Sequence, residues 1–298
     1  SARRALSIVE DMYRVSGGTL DGVVKTCPER VAAMRLCVPD PGAYKLATGV
    51  QPGLSATKMG LQVKLCGGPQ FDDTAQAAAT PGVLSARRAD LRKALQLSPS
   101  TLLVLAVGQV HGTAEMAAML VEGLQVATNN ERLPQGGVAI LLRMHPRASP
   151  EDKEKAMAIK ATHPELFTAD LEQAAAQLGP SVTSEDLLPA ADVVVSGHST
   201  VNYHAILWGM PGVVYLGTTT EEEQMRKEKG LTVQPEVQAG AAWRASTAEE
   251  FANIIDHLSQ GNSSDKVQGI LKRQQRIAKA NDGRAAARVW YQTLLTEK

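Results

Sequence analysis

The chain has 298 residues, of which 44% are hydrophobic, and its 31 basic side chains are balanced by 31 acidic ones. This hydrophobic content excludes a disordered chain, and the balanced charge excludes an overall field that would attract nucleic acid or an acidic membrane. No apolar run approaches the ~18 residues of a membrane span, and the length suits two domains of about 150 residues each.

Residues 1–72 predict a partial first domain. Short apolar pieces stand among many Gly and Pro turns, and three or four strands are expected from LSIVE, GVVKT, RLCVPD and LQVKLCG. Cys27, Cys37 and Cys66 all lie here, and their odd number without a C-x-x-C pair favours buried free thiols over a zinc site. Free thiols in turn predict a reducing compartment, either the cytoplasm or an organelle matrix.

Residues 73–85, DTAQAAATPGVLS, are mostly small and include Pro and Gly, which predicts an interdomain linker. In residues 86–278, short apolar runs alternate with longer segments of helical period, the pattern of a parallel sheet with crossover helices. The strand-like runs are TLLVLAVG (101–108), GVAILLRMHP (137–146), ADVVVSGHS (191–199) and GVVYLG (212–217). This part is therefore predicted to be a doubly wound α/β domain.

The predicted helices have recognisable ends. Thr113 stands at the start of the helix after the first run, where it is expected to be the N-cap. Ser149 and Pro150 open the helix after the second run. Near the carboxyl terminus, Asn-Asp-Gly at 281–283 marks a break between two amphipathic helices. Residues 279–298 are therefore predicted to be a separate terminal helix.

Candidate ligand-binding residues follow the predicted strands, because ligands of open parallel sheets bind outside the carboxyl ends of the strands. The candidates are Gly108, His111, Gly112 and Thr113 after the first strand, Arg143 and His145 after the second, and Gly197, His198, Ser199, Thr200 and His204 after the third. Four of the six histidines are in this set. This grouping is the strongest functional signal in the residues themselves.

The loop 196–202, SGHSTVN, joins a buried strand to a helix, and the free N–H groups of a helix start suit a phosphate. Two interpretations stay open for Ser199 and Thr200: contact with a phosphate oxygen, or a plain N-cap. The guanidinium of Arg143 at a neighbouring strand end suits a diphosphate. The turn at Gly108 matches neither the dinucleotide nor the Walker glycine motif, and a tight strand–helix turn explains it equally well.

Two other chemistries are disfavoured. The position after GHST is Val201 and not Gly, so the nucleophile elbow of serine hydrolases is absent. His198 and His204 are six residues apart, which does not place them on one face of a helix, and no metal site is predicted.

Four segments occur in order along the chain: LQVKLCGGPQFDD, ARRADLRKALQLSPSTLLVLAVGQ, LLPAADVVVSGHSTVNYHAILWGMPGVVYLG and NDGRAAARVWYQTLL. Together they resemble the GT-B fold, specifically nucleotide-sugar transferases and epimerase-like proteins with a carboxyl-terminal UDP- or CDP-binding lobe. They resemble, in turn, the close of the N-lobe, the opening of the C-lobe, the donor segment, and a terminal helix that packs back towards the N-lobe. The resemblance covers roughly residues 60–298.

This resemblance implies a partial Rossmann-like N-lobe and a doubly wound C-lobe that binds a nucleoside diphosphate-sugar, with UDP or CDP as the nucleotide. The diphosphate would lie near Ser199, Thr200 and the Gly108 turn, with Arg143 and His145 beside it. No metal or other cofactor is implied. The activity implied is glycosyl transfer, of a sugar or a related group, to an acceptor that the sequence does not identify.

Two departures from the family pattern keep an alternative open. His204 and Ala205 stand where the family commonly has Glu-Ala, and an imidazole is not the same acceptor for a ribose as a carboxylate. Only about 72 residues precede the linker, so either the native protein is longer or the first lobe has decayed. The alternative is an inactive structural or interaction subunit of a larger complex, with a protein partner covering the incomplete N-lobe. No catalytic base is assigned.

Overall fold

The computed structural model describes residues 7–9, 35–38, 62–133, 136–167, 182–197, 199–229 and 232–294. The chain forms two compact units. The first comprises Ser1–Thr80, Arg226–Leu231 and Gln275–Lys298, and the second comprises Pro81–Met225 and Thr232–Gln274. Among the described helices, none combines the length and the apolar character needed to cross a membrane.

The first unit contains a three-stranded parallel sheet in the order β1-β2-β3. These strands are β1 (Ser7–Val9), β2 (Arg35–Val38) and β3 (Gln62–Leu65). They coincide with three of the four predicted pieces, and the fourth, GVVKT, lies outside the described residues. The sequence therefore located the strands of this unit but could not give their pairing.

The segment predicted as a linker is largely helical. Helix α1 (Asp72–Ala79) covers the first half of the predicted linker, and helix α2 (Val83–Ala94) begins within its last three residues. Its alanines have high helix propensity, and the two acidic residues of the first turn complement the helix dipole. The sequence predicted an interdomain linker over 73–85 and did not predict these helices, because a run of small residues fits a linker as well as a helix. The proposed lobe boundaries themselves stay a prediction.

The second unit is built on a five-stranded parallel sheet in the order β5-β4-β6-β7-β8. Its strands are β4 (Leu102–Val107), β5 (Val138–Arg143), β6 (Val193–Ser196), β7 (Gly212–Leu216) and β8 (Trp243–Ala245). The four predicted runs are confirmed as β4 to β7. Because β5 lies on one side of β4 and β6 on the other, the chain reverses its direction of travel across the sheet between them. The gap between the carboxyl ends of β4 and β6 is therefore the switch point of the sheet.

Among the residues that the structure describes, helices connect these strands and follow the last of them. They are α3 (Thr113–Asn129), α4 (Pro150–Thr162), α5 (Ser184–Leu187), α6 (Val201–Leu207), α7 (Thr219–Lys229), α8 (Pro235–Gln238), α9 (Ala248–Ser259), α10 (Asp265–Ala278) and α11 (Ala285–Leu294). Buried side chains of α3 and α9 pack against one face of the second sheet, with Leu120 and Phe251 beside Val104 and Val195. Strands β4, β6 and β7 are buried along their whole length, as expected of a covered parallel sheet.

Two helix starts in the second unit test the capping predictions. Ser149 is the N-cap of α4, and its hydroxyl accepts a hydrogen bond from the backbone N–H of Asp152 at 3.1 Å. Thr113 is not an N-cap: Gly112 occupies that position with φ 79°, and the Thr113 hydroxyl donates to the carbonyl of Gln109 at 3.1 Å. The turn after β4 needs a left-handed residue before the helix, which glycine supplies without strain.

The predicted break near the carboxyl terminus is present in the first unit. Helix α10 ends at Ala278 and α11 begins at Ala285, with Gly283 at φ 80° between them. The buried carboxylate of Asp72 accepts the first backbone N–H groups of α11, from Ala285 and Ala286, each at 2.8 Å. A side chain from α1 therefore caps α11 across more than 200 residues of sequence.

Candidate functional site

The carboxyl ends of the five strands of the second sheet are in register. Arg143, Val107, Ser196, Tyr215 and Arg244 are paired one to the next from β5 to β8. Directly paired residues of a parallel sheet point to the same face. At about 4.8 Å per strand, the backbones of the first and third residues of this row are about 10 Å apart across the switch point. The row brings together strand ends that the sequence predicted separately.

The turn after β4 is closely packed. The N–H of Gly108 donates to the carbonyl of Arg143 at 2.8 Å. A Cβ at Gly108 would lie 2.9 Å from the Thr113 hydroxyl and 3.0 Å from that same carbonyl. Glycine therefore lets the start of α3 approach the end of β5, and the tight-turn interpretation accounts for this glycine. His111, in the same turn, is exposed.

The N-terminus of α3 is already occupied by a carboxylate of the protein. Asp152, in the first turn of α4, accepts the backbone N–H groups of Thr113 at 3.0 Å and Ala114 at 2.9 Å. These are the groups that would hold a phosphate at a helix start. Sequence reasoning missed this contact, which satisfies the two N–H groups with a side chain of the protein itself.

Arg143 and His145 lie half-buried at the end of β5. One guanidinium nitrogen of Arg143 donates to the carbonyl of Val182 at 2.7 Å, and the Nδ1 atom of His145 accepts from the N–H of Arg147 at 3.1 Å. Burial lowers the pKa of His145, and the positive charges of Arg147 and Lys153 lower it further. The imidazole is therefore neutral at neutral pH, and the positive charge of this region comes from its basic neighbours.

The loop between β6 and α6 presents hydroxyl groups at the switch point. The Ser199 hydroxyl accepts from the N–H of Val201 at 3.3 Å, which is a cap-like contact. Thr200 holds the N-cap position of α6, but its side chain makes no capping hydrogen bond. Gly197 is buried, and His204 is half-buried in α6. His198 lies outside the described residues, so its predicted role stays untested.

Two buried polar side chains flank this loop without hydrogen-bond partners among the described residues. They are Ser196, the last residue of β6, whose Oγ is unpaired, and Asn202 in α6, whose amide nitrogen and oxygen are both unpaired. Both residues are completely buried. An unmet buried polar group costs about 1–3 kcal/mol, and native proteins retain few of them without a ligand, a water molecule or a functional reason. Asn202 was not singled out from the sequence, although an Asn between Val201 and Tyr203 on a buried helix was a usable signal.

On the far side of the row, Arg244 forms an ion pair with Glu222, and the hydroxyl of Tyr215 donates to the buried carboxylate of Glu236 at 3.0 Å. The Arg244 contact was missed because β8 was not predicted. Within the described ranges, no three His, Cys, Asp or Glu side chains lie close enough together to hold a metal ion.

Comparison with known families assigns the chain. The sequence model of the CDP-glycerol:poly(glycerophosphate) glycerophosphotransferases matches residues 123–295, which is more than half of the sequence. The chain belongs to this family. The part matched by the glycerophosphotransferase model includes Arg143, His145 and the β6–α6 loop, and excludes the Gly108 turn. A search of curated proteins gives no sequence match.

Solved structures with a similar fold agree with the predicted GT-B-like architecture. The wall teichoic acid polymerase TagF is 13% identical to this glycerophosphotransferase-family chain and superimposes with a TM-score of 0.51. The match covers 95% of this chain and 62% of the TagF chain. A UDP-N-acetylglucosamine 2-epimerase structure from Listeria monocytogenes has 15% identity and a TM-score of 0.52, covering 96% and 72%. This chain thus spans about 62% of the TagF chain that it matches. At these identities the likeness shows the fold alone.

Proposed function

We propose that this chain binds a cytidine diphosphate-linked glycerol donor at the carboxyl edge of the second sheet and takes part in transferring glycerophosphate to an acceptor hydroxyl. The unpaired, buried Ser196 and Asn202 beside the β6–α6 loop carry the proposal, because they lie within the family-matched segment and at the switch point. The family description supports the donor and the group transferred. The acceptor proposed is the terminal hydroxyl of a poly(glycerophosphate) chain.

Glycerophosphate transfer breaks a different bond from the glycosyl transfer expected from the sequence. The acceptor oxygen attacks the phosphorus atom that carries glycerol, and the bond from this phosphorus to the bridging oxygen breaks. CMP then leaves with the electron pair. A glycosyl transfer breaks the bond between the anomeric carbon and the diphosphate, and releases the nucleoside diphosphate. The two reactions are therefore distinguished by their nucleotide product.

Negative charge develops on the departing phosphate, so the residues needed are donors and cations in fixed positions. The guanidinium of Arg143 can donate two parallel hydrogen bonds to phosphate oxygens. The hydroxyl groups of Ser199 and Thr200 provide neutral donors from the other side of the switch point. His145, being neutral, contributes a hydrogen bond and no charge. None of these residues is assigned as the base.

The test is a thermal shift of the purified chain with CDP-glycerol, CMP, CDP and UDP-sugars. A bound ligand at 100 times its Kd adds about 2.7 kcal/mol of stability. We expect a shift with CDP-glycerol that Arg143→Ala abolishes. Lys155→Ala is the matched control, because it also removes one positive charge but from an exposed position on α4.

Product analysis then identifies the reaction. Incubation with CDP-glycerol and a glycerophosphate acceptor should release CMP, whereas release of CDP would indicate a glycosyl-type cleavage. A folded sample that shows no shift with any cytidine nucleotide would contradict the donor site. That result would favour the inactive subunit, and a search for its protein partner would follow. We also propose that the protein is located in a reducing compartment.

A further inference from the structure

Two cysteines of the first unit lie in direct contact. Cys37 is in β2, Cys66 follows β3 directly, and the Cys66 thiol donates a hydrogen bond to the Cys37 sulfur, with 3.1 Å between the two Sγ atoms. Their exposed fractions are 0% and 2%. Neither of the two forms a disulfide in this structure. Nothing in the proposed transfer reaction uses them.

The local backbone explains this contact. Cys37 is paired in register with Lys64, which places Cys66 diagonally across from it on the same face of the sheet. The carbonyl of Val38 accepts from both Cys66 N at 3.1 Å and Gly67 N at 3.2 Å, so the strand ends in a turn at this point. Gly67 has φ 81°, a left-handed conformation that glycine adopts readily. The turn brings the two sulfur atoms together.

We propose that Cys37 and Cys66 form an oxidative modification site that a peroxide converts reversibly into a disulfide. One sulfur attacks a peroxide oxygen, the O–O bond breaks, and a sulfenic acid and one water are formed. The second thiol then attacks the sulfenic sulfur, the S–O bond breaks, and a second water leaves. The two thiols lose two electrons in total, which the peroxide gains. The sulfur atoms need to approach by only about 1 Å to reach the bond length of a disulfide.

The surroundings make the two thiols slow to react. The hydrogen bond to Cys37 raises the pKa of Cys66, and burial raises it further, against the opposing positive charges of Arg288 and Lys64. Because the thiolate is the reactive form, mild oxidants should act slowly here. Peroxide is small enough to reach a buried sulfur when the surrounding structure opens locally.

The disulfide would form in a part of the first unit where hydrogen bonds already connect the segment after β3 to the carboxyl-terminal residues. Arg288 in α11 donates to the carbonyl of Cys66 at 2.7 Å, and Gly68 N donates to the side chain of Asn281 at 2.8 Å. A disulfide closing the 37–66 loop constrains the unfolded chain and so stabilises the folded unit. Oxidation is therefore expected to raise the midpoint of thermal unfolding of the first unit, and a dithiol reductant to restore it.

The sequence allows a direct test, because trypsin separates the three cysteines into peptides 26–30, 36–45 and 65–87. The folded protein is treated with hydrogen peroxide, its remaining thiols are alkylated in denaturant, and it is digested without reduction. We expect free thiols to fall from three to one per chain. Peptides 36–45 and 65–87 should be recovered as one linked species, lighter than their sum by two hydrogen atoms. Dithiothreitol should separate them.

Cys27→Ser is the control, since it removes a thiol but leaves the proposed pair, and the linked species should form as before. Cys37→Ser should abolish it. Recovery of peptides 36–45 and 65–87 as separate alkylated or over-oxidised species after peroxide treatment of the wild-type chain would overturn the proposal. So would a link between peptide 26–30 and either of the others as the main product.

Discussion

Replacing Asp152 by Ala should destabilise the second unit by about 2–3 kcal/mol. The substitution removes two hydrogen bonds, to Thr113 N at 3.0 Å and Ala114 N at 2.9 Å, and a negative charge at the N-terminus of α3. A hydrogen bond to a charged group is worth about 1.5–3 kcal/mol, and the charge near a helix end adds about 0.3–1 kcal/mol. Because Asp152 is only half-buried, water replaces part of what is lost. The expected total lowers the folded-to-unfolded ratio by about 30- to 150-fold.

Urea unfolding measured by tryptophan fluorescence can isolate this effect. Trp208 and Trp243 belong to the second unit and Trp290 to the first, so a Trp290→Phe background reports on the second unit alone. At constant m, the shift in midpoint gives the change in the free energy of unfolding. Asp152→Asn keeps one acceptor oxygen but turns an NH₂ group towards the other backbone N–H. It should lower the free energy of unfolding by at least half as much as Asp152→Ala does.

Glu154→Ala is the matched control, because Glu154 is exposed on the same helix and its loss should change stability by less than about 0.5 kcal/mol. Equal midpoints for Asp152→Ala and Glu154→Ala would refute the inference that the carboxylate holds the start of α3. An Asp152→Asn midpoint equal to that of the wild-type chain would refute the part assigned to its charge.

Three further predictions concern other parts of the second unit. Arg92 is only 5% exposed and donates to three carbonyl oxygens and one carboxylate. Arg92→Met should therefore lower the free energy of unfolding, measured in urea, by about 3–5 kcal/mol. Arg88 is more exposed, so Arg88→Met should lower it by less, and equal losses would contradict the role of burial. The pKa of His145 is lowered from its ordinary value of 6.5, so the folded state resists protonation and the free energy of unfolding falls as the pH drops below that value. His145→Gln should flatten this part of the curve of stability against pH. An unchanged curve would contradict the lowered pKa. Gly108→Ala forces a Cβ against Thr113 and should cost about 1–3 kcal/mol, which a wild-type melting temperature would disprove.

Much of the second unit could be predicted because its strands are buried on both faces. Such strands form unbroken apolar runs, and β4 to β7 were recognisable as such. Strand β8 was not, since Trp243–Ala245 is three residues long and has Arg244 at its centre. The helical character of 73–85 was missed for a different reason: a stretch of alanine beside Pro and Gly fits both a linker and a helix, and only its surroundings decide between them.

The position of the candidate site could also be predicted, because the ends of parallel strands meet at one edge whatever their order. Its internal contacts could not. Asp152 binds the start of α3 from 39 residues away, and no local pattern predicts which carboxylate will cap a distant helix. The same holds for the unpaired Ser196 and Asn202, whose burial depends on how α6 packs. The error at Thr113 was local, and Gly112 before it was the sign of a left-handed N-cap.

The strand order β5-β4-β6-β7-β8 has a consequence for the folding kinetics of the second unit. Strands β4 and β5 pair across about 35 residues, and β6, β7 and β8 pair across about 20–30 each, whereas β4 and β6 pair across about 90. Closing the longest loop costs the most chain entropy and is expected to come last. The pairing of β4 with β6 also creates the switch point. The two halves of the sheet can therefore assemble independently, but the candidate site forms only after the final, slowest association joins them.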